Sequence, residues 1–280
     1  MKFGINTFLF TSPFTNESIS LFPKFKKWGF DSVEIAIEDA SHIKPVIVKR
    51  ALDENGLKCC SISAAMGSGR DLRGTQENQN AAIDYIKSIL DLMPELNCPI
   101  LAGPLYSSVG RAEVVTEAQY NTQWDIVVSH LKMLTDYATQ LNLKLAIEPL
   151  NRYETDFINT CEQALKLIDS VDNESLVIHL DTYHMNIEEK DPAKAILMAG
   201  DKLGHFHACG CDRGTPGGDQ INWEKIRKSL LKINYTGDIV IESFTPDVKV
   251  IAKAASIWRK FEPSREHIAV NGLKFLQTNL

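Results

Sequence analysis

Four residues of metal-binding type stand at the ends of four consecutive apolar segments in the second half of this 280-residue chain. They are Glu148 after LKLAI, Asp181 at the end of LVIHLD, His207 within LGHFHA and Glu242 after DIVI. Charges at the end of an apolar segment are partly buried and therefore need partners. Three carboxylates and one imidazole suit a hard or borderline divalent ion such as Mn²⁺, Mg²⁺ or Co²⁺. Zn²⁺ is also possible, but its sites more often include additional His or Cys ligands.

Each of these residues also has a simpler interpretation. An acid after a strand is most often a helix cap or a solvated loop residue, and Asp181 could cap a turn at Thr182. His207 could be a hydrogen-bonded core histidine. The coincidence of all four favours a site. His205 lies two residues before His207 and hence on the same side of its strand, where it is either a partner of the site or a barrel-core residue.

Three further polar residues follow the same segments. Glu154 lies in the loop after Glu148, His184 stands three positions after Asp181, and Arg213 lies within GCDRGTPGG. Loop residues of these types usually face solvent when they occur singly. Their clustering after the same segments predicts a polyhydroxy ligand.

The segments that carry these residues belong to a repeating pattern of strand and helix. Eight short apolar segments are strand candidates, namely FGINTFL, DSVEIAI, KCCSISAA, CPILAG, LKLAIEP, LVIHLD, LGHFHA and DIVIES. Amphipathic helices that end at Gly or Asn lie between them. The pattern predicts an α/β fold, a (β/α)₈ TIM barrel formed by a single domain over residues 1–280, with the active site at the carboxyl ends of the strands. An open doubly wound sheet would place a GxGxxG loop after FGINTFL, and none is there.

Composition excludes several classes of function. The chain is 44% hydrophobic and 24% charged, as is usual for a globular protein, and its net charge of −6 argues against a nucleic-acid partner. No apolar run approaches a membrane span, and the first residues lack the cleavage site of a signal peptide. The six cysteines form no CxxC pair. A cytoplasmic protein with reduced thiols is expected.

Four longer motifs carry a family resemblance. IEPLNRYET, LDTYHMNIEE, GHFHACGCDRGTPGGD and VIESF resemble the D-tagatose 3-epimerase/D-psicose (allulose) 3-epimerase family of xylose-isomerase-like TIM barrels. SIWRKF and NGLKFL near the C-terminus also match, whereas GFDSVEI, GRDL and AGPLYS match more loosely. Asn6, Phe8 and Met66 follow no family pattern that can be assigned, and they correspond to positions bordering the sugar pocket. The preferred ketose therefore stays open.

The resemblance implies roles for the residues named above. A divalent metal, most often Mn²⁺, would be held by Glu148, Asp181, His207 and Glu242, with Glu148 and Glu242 as the two acid–base groups. Glu154, His184 and Arg213 would contact the sugar near O1, O2 and O3. The resemblance also implies a homodimer or a homotetramer.

The implied reaction interconverts free ketoses at C3, as D-tagatose/D-sorbose, D-fructose/D-psicose or an L-ribulose pair. A hydrogen beside a ketone is weakly acidic, and a metal on two neighbouring oxygens would stabilise the cis-enediolate that forms when this hydrogen leaves. Inversion needs proton loss on one face of the carbon and proton gain on the other, which two carboxylates can supply.

Other functions on the same scaffold stay open. An aldose–ketose or hydroxypyruvate-type isomerase, or a dehydratase, would use the same metal at a different carbon. A sugar-phosphate epimerase would have only Arg213 as a phosphate ligand, since no phosphate-binding Gly loop precedes a late helix. An apurinic endonuclease would need several zinc ions, a larger number of histidines than the seven present here, and a basic surface. A catalytically inactive sugar-binding barrel would not need the full set of acids.

Overall fold

The computed structural model describes residues 1–280, which form a closed barrel of eight parallel strands paired in chain order. Strand β1 pairs with β8 to close it, with Lys2 opposite Asp238 and Ile5 opposite Ile241. The (β/α)₈ prediction is confirmed. The strands are β1 Lys2–Asn6, β2 Ser32–Ile37, β3 Lys58–Ala64, β4 Ile100–Gly103, β5 Lys144–Ile147, β6 Leu176–Asp181, β7 Leu203–Ala208 and β8 Asp238–Ile241.

The strands are short and apolar because a parallel strand in a barrel is covered on both faces. Every residue of β2 and of β6 is buried. One hydrophobic cluster joins the barrel to the helices around it. This packing leaves the strand ends as the places where polar side chains can meet.

The helices follow the strands around the outside of the barrel. They are α1 Phe22–Trp28, α2 Pro45–Glu54, α3 Gln76–Leu96, α4 Glu117–Gln140, α5 Cys161–Val171, α6 Thr182–Glu188, α7 Pro192–Ala199, α8 Trp223–Lys232, α9 Lys249–Ala254 and α10 Arg265–Asn279. Pro23 lies in the first turn of α1, where no helical hydrogen bond needs its N–H. Gly29 ends α1 in a left-handed conformation. No helix has both the length and the apolar character needed to cross a membrane.

Two elements differ from the pattern in the sequence. The first strand ends at Asn6 rather than extending through FGINTFL, because the Asn6 side chain accepts a hydrogen bond from Phe8 N and starts a short 3₁₀ turn over Thr7–Leu9. The short helix α6 was not foreseen as a separate element, and it begins where the Asp181 side chain accepts from Tyr183 N. Both residues that cause these differences lie at the site described next.

Candidate active site

The last four strands bring four side chains to one point. Glu148 follows β5, Asp181 ends β6, His207 lies near the end of β7 and Glu242 follows β8. Asp181 and His207 face each other in the register of β6 and β7. All four side chains are buried, and one potential ligand atom from each lies within 4.8 Å of the others.

The cluster presents atoms suited to a cation. His207 Nδ1 lies 3.3 Å from Glu242 Oε2 and 3.7 Å from Asp181 Oδ2. Neither His207 Nδ1 nor Glu148 Oε1 has a hydrogen-bond partner, although both atoms are buried. Leaving such atoms unpaired is costly, and three carboxylates with one imidazole nitrogen match the ligand preference of a divalent ion. The residues therefore fit a bound divalent metal.

The carboxylates of the cluster differ in their electrostatic surroundings. Burial, reinforced by the nearby Glu242, raises the pKa of Glu148 well above its usual range. Burial also acts to raise the pKa of Asp181, but Arg213 and His207 outweigh it and lower that pKa. The surroundings therefore oppose ionisation of Glu148 and favour ionisation of Asp181.

Asp181 has two separate roles in the structure. Its Oδ1 caps helix α6 at Tyr183 N, at 2.6 Å, as the simpler interpretation of the sequence expected. Its Oδ2 faces the cluster, 2.7 Å from Arg213 Nη1. The cap fixes the carboxylate so that the second oxygen points toward the other three side chains.

Arg213 lies directly against the cluster. Its Nη1 donates to Asp181 Oδ2 at 2.7 Å and to Glu242 Oε2 at 2.9 Å. The guanidinium packs over the rings of Tyr183 and Phe244, at 4.4 and 4.9 Å from their centroids. It is therefore held in a fixed place next to two of the predicted metal ligands.

His184 and Glu154 are both tied to Asn151. His184 Nδ1 accepts from Asn151 N at 2.9 Å, and His184 Nε2 lies 2.7 Å from Arg213 Nη2, so both ring nitrogens face donors. Burial, together with Arg213, lowers the pKa of His184 to about 3, so the ring is neutral. Glu154 Oε1 accepts from Asn151 Nδ2 at 2.8 Å, and burial raises its pKa.

A cavity of about 440 Å³ opens above the cluster. Five of the seven residues singled out in the sequence line it, namely Glu148, Glu154, His184, Arg213 and Glu242. Asp181 and His207 do not line it, although both meet lining residues in the cluster. The walls include apolar side chains, and Ser12 and Glu38 form a polar part of them.

The sequence model of one family, the xylose isomerase-like TIM barrel, matches residues 22–278. The chain belongs to this family. It is 34% identical over 278 residues to a probable ketose 3-epimerase of Synechocystis sp., and the match covers 99% of this chain and 96% of that relative. That relative is named as a carbohydrate epimerase, an enzyme of the isomerase class.

Solved structures of epimerases superpose on this family member over its whole length. A D-allulose 3-epimerase from Methylomonas sp., in complex with D-allulose, has a TM-score of 0.92 at 26% identity and covers 100% of this chain and 97% of its own. A D-psicose 3-epimerase from Clostridium cellulolyticum H10, solved with D-tagatose, has a TM-score of 0.90 at 26% identity and covers 100% and 99%. The resemblance drawn from the sequence motifs is confirmed.

The three positions that matched no family pattern are not equivalent in this barrel. Phe8 and Met66 line the cavity, as expected. Asn6 does not, because its side chain is fully buried and donates to Glu34 and to Glu242. Asn6 is thus a contact of the acidic cluster rather than a wall of the pocket.

Sequence reasoning missed Glu34. This residue lies in β2 with no exposed surface, and it contacts both His205 and His207. The one signal was a carboxylate in the middle of the apolar segment DSVEIAI. The contact also decides the role of His205, whose Nε2 lies 2.6 Å from Glu34 Oε2 and so belongs to the surroundings of the site.

His179 is a second residue that the sequence did not single out. It is buried in β6, and its ring lies 4.0 Å from that of His207, edge to face. Its Nδ1 stands 3.6 Å from Glu148 Oε2. Burial lowers the pKa of His179 well below its usual range, so a neutral ring lies beneath Glu148.

Proposed function

We propose that the chain is a metal-dependent ketose 3-epimerase that acts on free ketoses, with Glu148 and Glu242 as its two acid–base groups. The observation that carries the proposal is the buried cluster in which these two glutamates, three strands apart around the barrel, line the same cavity. The names of the relatives support the same reaction. Glu148, Asp181, His207 and Glu242 would hold the ion, for which Mn²⁺ is our first choice and Co²⁺ or Mg²⁺ are alternatives.

A divalent ion in this cluster supplies an electrophile for negative charge on two neighbouring substrate oxygens. The protein's own residues do the rest. Glu148 has one carboxylate oxygen without a hydrogen-bond partner, which leaves that oxygen free to exchange a proton with the substrate. Glu242 would accept or deliver the proton on the other face of C3.

The neighbouring residues would orient the sugar. Arg213 is a donor, Glu154 is an acceptor and His184 adds an imidazole to the cavity wall, which suits a row of carbonyl and hydroxyl oxygens. Burial in the cavity would keep bulk water away from these contacts. Together they would hold the C1–C3 portion of the ketose so that C3 lies between the two glutamates.

The charges of the cavity favour a neutral sugar over a sugar phosphate. The guanidinium of Arg213 is already paired with Asp181 and Glu242. Arg70, which also lines the cavity, donates to the main-chain oxygens of Ala65 and Glu38. The terminal nitrogens of both arginines therefore already have partners within the protein.

Product analysis over a panel of free ketoses with Mn²⁺ tests the proposal. We expect chromatography to resolve a product that differs from its substrate only at C3, and we expect the Glu148→Gln control to form none. An aldose product would indicate an isomerase instead. Turnover of ketose 6-phosphates alone would indicate a sugar-phosphate epimerase.

We further propose that the protein assembles as a homodimer or a homotetramer. Exposed Tyr153 and Trp258 offer large apolar surface that an assembly would cover. Light scattering coupled to gel filtration measures the mass directly, and a monomer at micromolar concentration would contradict this expectation.

A further inference from the structure

Glu34 has no exposed surface and lies outside the cavity lining. It nevertheless contacts His207 of the cluster directly, and Asn6 connects it to Glu242. Its Oε1 accepts from Asn6 Nδ2 at 2.6 Å and contacts His207 Nε2 at 2.7 Å. Its Oε2 accepts from Ser61 Oγ and lies next to His205 Nε2, both at 2.6 Å. An ionised carboxylate has about four acceptor positions, so these four neighbours occupy all of them.

The contact with His207 selects one nitrogen of that ring. An ionised Glu34 can only accept, so the nitrogen that faces it, Nε2, must carry a hydrogen. In the neutral ring this leaves the lone pair on Nδ1, which is the atom that lies near Asp181 and Glu242 and has no hydrogen-bond partner. Glu34 therefore determines that the metal-facing nitrogen is the one free to bind a cation.

The contact with Asn6 orients Glu242. The Asn6 side chain cannot flip without loss, because its Oδ1 accepts from Phe8 N at 2.8 Å. Its Nδ2 then donates to Glu34 Oε1 and, at 3.1 Å, to Glu242 Oε1. With Oε1 held in this way, the other oxygen of Glu242 is the one that faces Arg213 and His207.

We propose that Glu34 is a positioning residue of the metal centre, which fixes the tautomer of His207 and, through Asn6, the orientation of Glu242. The proposal rests on the proposed function only in taking His207 and Glu242 as metal ligands. Glu34 touches neither the cavity nor the substrate, so its effect should be seen first in metal binding. Replacement of a residue that hydrogen-bonds to a metal ligand commonly changes metal affinity or activity by about 10- to 100-fold.

The decisive variant is Glu34→Gln, with Ser61→Ala as the matched control. Both lose a hydrogen bond at Glu34, but Ser61 contacts neither His207 nor Glu242. Mn²⁺ is titrated into metal-free protein, and free Mn²⁺ is followed by electron paramagnetic resonance, so the readout does not depend on turnover. We expect the Mn²⁺ Kd to rise about 10- to 100-fold in Glu34→Gln and less than about threefold in Ser61→Ala.

Asn6→Asp tests the second contact. This variant keeps an oxygen for Phe8 N, but it removes the N–H groups that hold Glu34 and Glu242 and sets a carboxyl group against both of them. We expect kcat to fall about tenfold or more with KM changed less than about threefold, since the variant disturbs the acid–base group rather than the sugar contacts. A disturbance of the fold alone would instead appear as a lower melting temperature of the metal-free protein.

The outcomes separate the two proposals. A wild-type protein that binds no divalent ion contradicts the proposed function itself. Wild-type binding of Mn²⁺ with an equal Kd in Glu34→Gln overturns the positioning role. If Glu34→Gln melts below the assay temperature, Asn6→Asp decides, and an unchanged kcat there overturns the proposal.

Discussion

At the scale of single residues, Arg213 is the side chain whose removal discriminates best between metal binding and substrate binding. It pairs with two acids of the cluster but offers them a guanidinium, which cannot ligate a cation. We expect Arg213→Ala to lower kcat/KM by about 10- to 100-fold, since a hydrogen bond from a charged donor contributes roughly 1.5–3 kcal/mol. Mn²⁺ affinity should stay equal or increase, because the carboxylates lose a competing cation.

Steady-state kinetics and Mn²⁺ titration of the same preparation check this expectation. Arg213→Lys is the control, because it keeps the charge but not the planar fork of donors. It should recover part of the loss in kcat/KM. Loss of Mn²⁺ binding in Arg213→Ala would show that this arginine supports metal binding rather than sugar binding.

The two glutamates give a second prediction at the residue scale. If Glu148 and Glu242 work on opposite faces of the sugar, the wild-type product formed in D₂O carries deuterium at C3 and nowhere else. Replacing either residue by Gln keeps its size but removes the base, so epimerisation should fall by several orders of magnitude. Nuclear magnetic resonance of the product locates the label. Deuterium at C1 would instead identify an aldose–ketose isomerase.

At the scale of elements, Tyr106 joins the loop after β4 to the loop after β5. The Tyr106 side chain is fully buried, and its hydroxyl shares its single hydrogen between the main-chain oxygens of Glu148 and Ile158, at 2.9 and 3.0 Å. Tyr106→Phe leaves both oxygens without this donor, so we expect a loss of about 1–3 kcal/mol in the free energy of unfolding. We also expect kcat to fall, because the backbone that carries Glu148 is no longer held.

Urea unfolding and steady-state kinetics measure the two effects of Tyr106→Phe. Tyr235→Phe is the matched control, since its hydroxyl donates to the main-chain oxygen of Asp238 at the opposite end of the barrel. The control should lose stability but keep its kcat. An equal decrease of kcat in both variants would attribute the effect to general loosening of the barrel.

The elements themselves were largely predictable from the sequence, and their boundaries were less so. Eight apolar segments suffice to predict eight strands, because burial on both faces imposes the same composition on each. The end of β1 depended on a local hydrogen bond from Phe8 N to the Asn6 side chain, which competes with the strand. The short α6 depended on the cap at Asp181.

The candidate site was predictable where its residues follow strands in order. Glu34 escaped notice because the partners that explain it are distant in the chain. Ser61 stands 27 positions away and His207 stands 173 positions away. A single acid in an apolar segment has no local pattern that reveals such contacts, which arise only when the barrel closes.

At the scale of the whole molecule, the ligand residues lie on the last four strands and meet only when these strands are assembled in the barrel, so a bound ion should stabilise the folded state. Binding to the folded state alone contributes RT ln(1 + [L]/Kd), or about 2.7 kcal/mol when the ion is at 100 times its Kd. We expect Mn²⁺ to raise the melting temperature by roughly 5 °C and EDTA to remove both this increase and the activity. Scanning calorimetry with and without EDTA measures it.

Restoration of turnover by Mn²⁺ or Co²⁺ completes that test. Full activity in a preparation shown by elemental analysis to be free of metal would contradict a metal centre. An unchanged melting temperature together with lost activity would instead indicate that the ion enters only with the substrate.

The ligands of the cluster stand on strand ends or directly after them, whereas much of the cavity wall is carried by connecting segments. Met66 and Val109 follow β3 and β4, and Ile251 lies in α9. Substitutions in these segments alter the space offered to a sugar while they leave the reacting groups on the rigid barrel. Such a separation makes the protein a suitable starting point for directed evolution, in which the choice of sugar is changed by randomising a few wall positions and the chemistry is inherited unchanged.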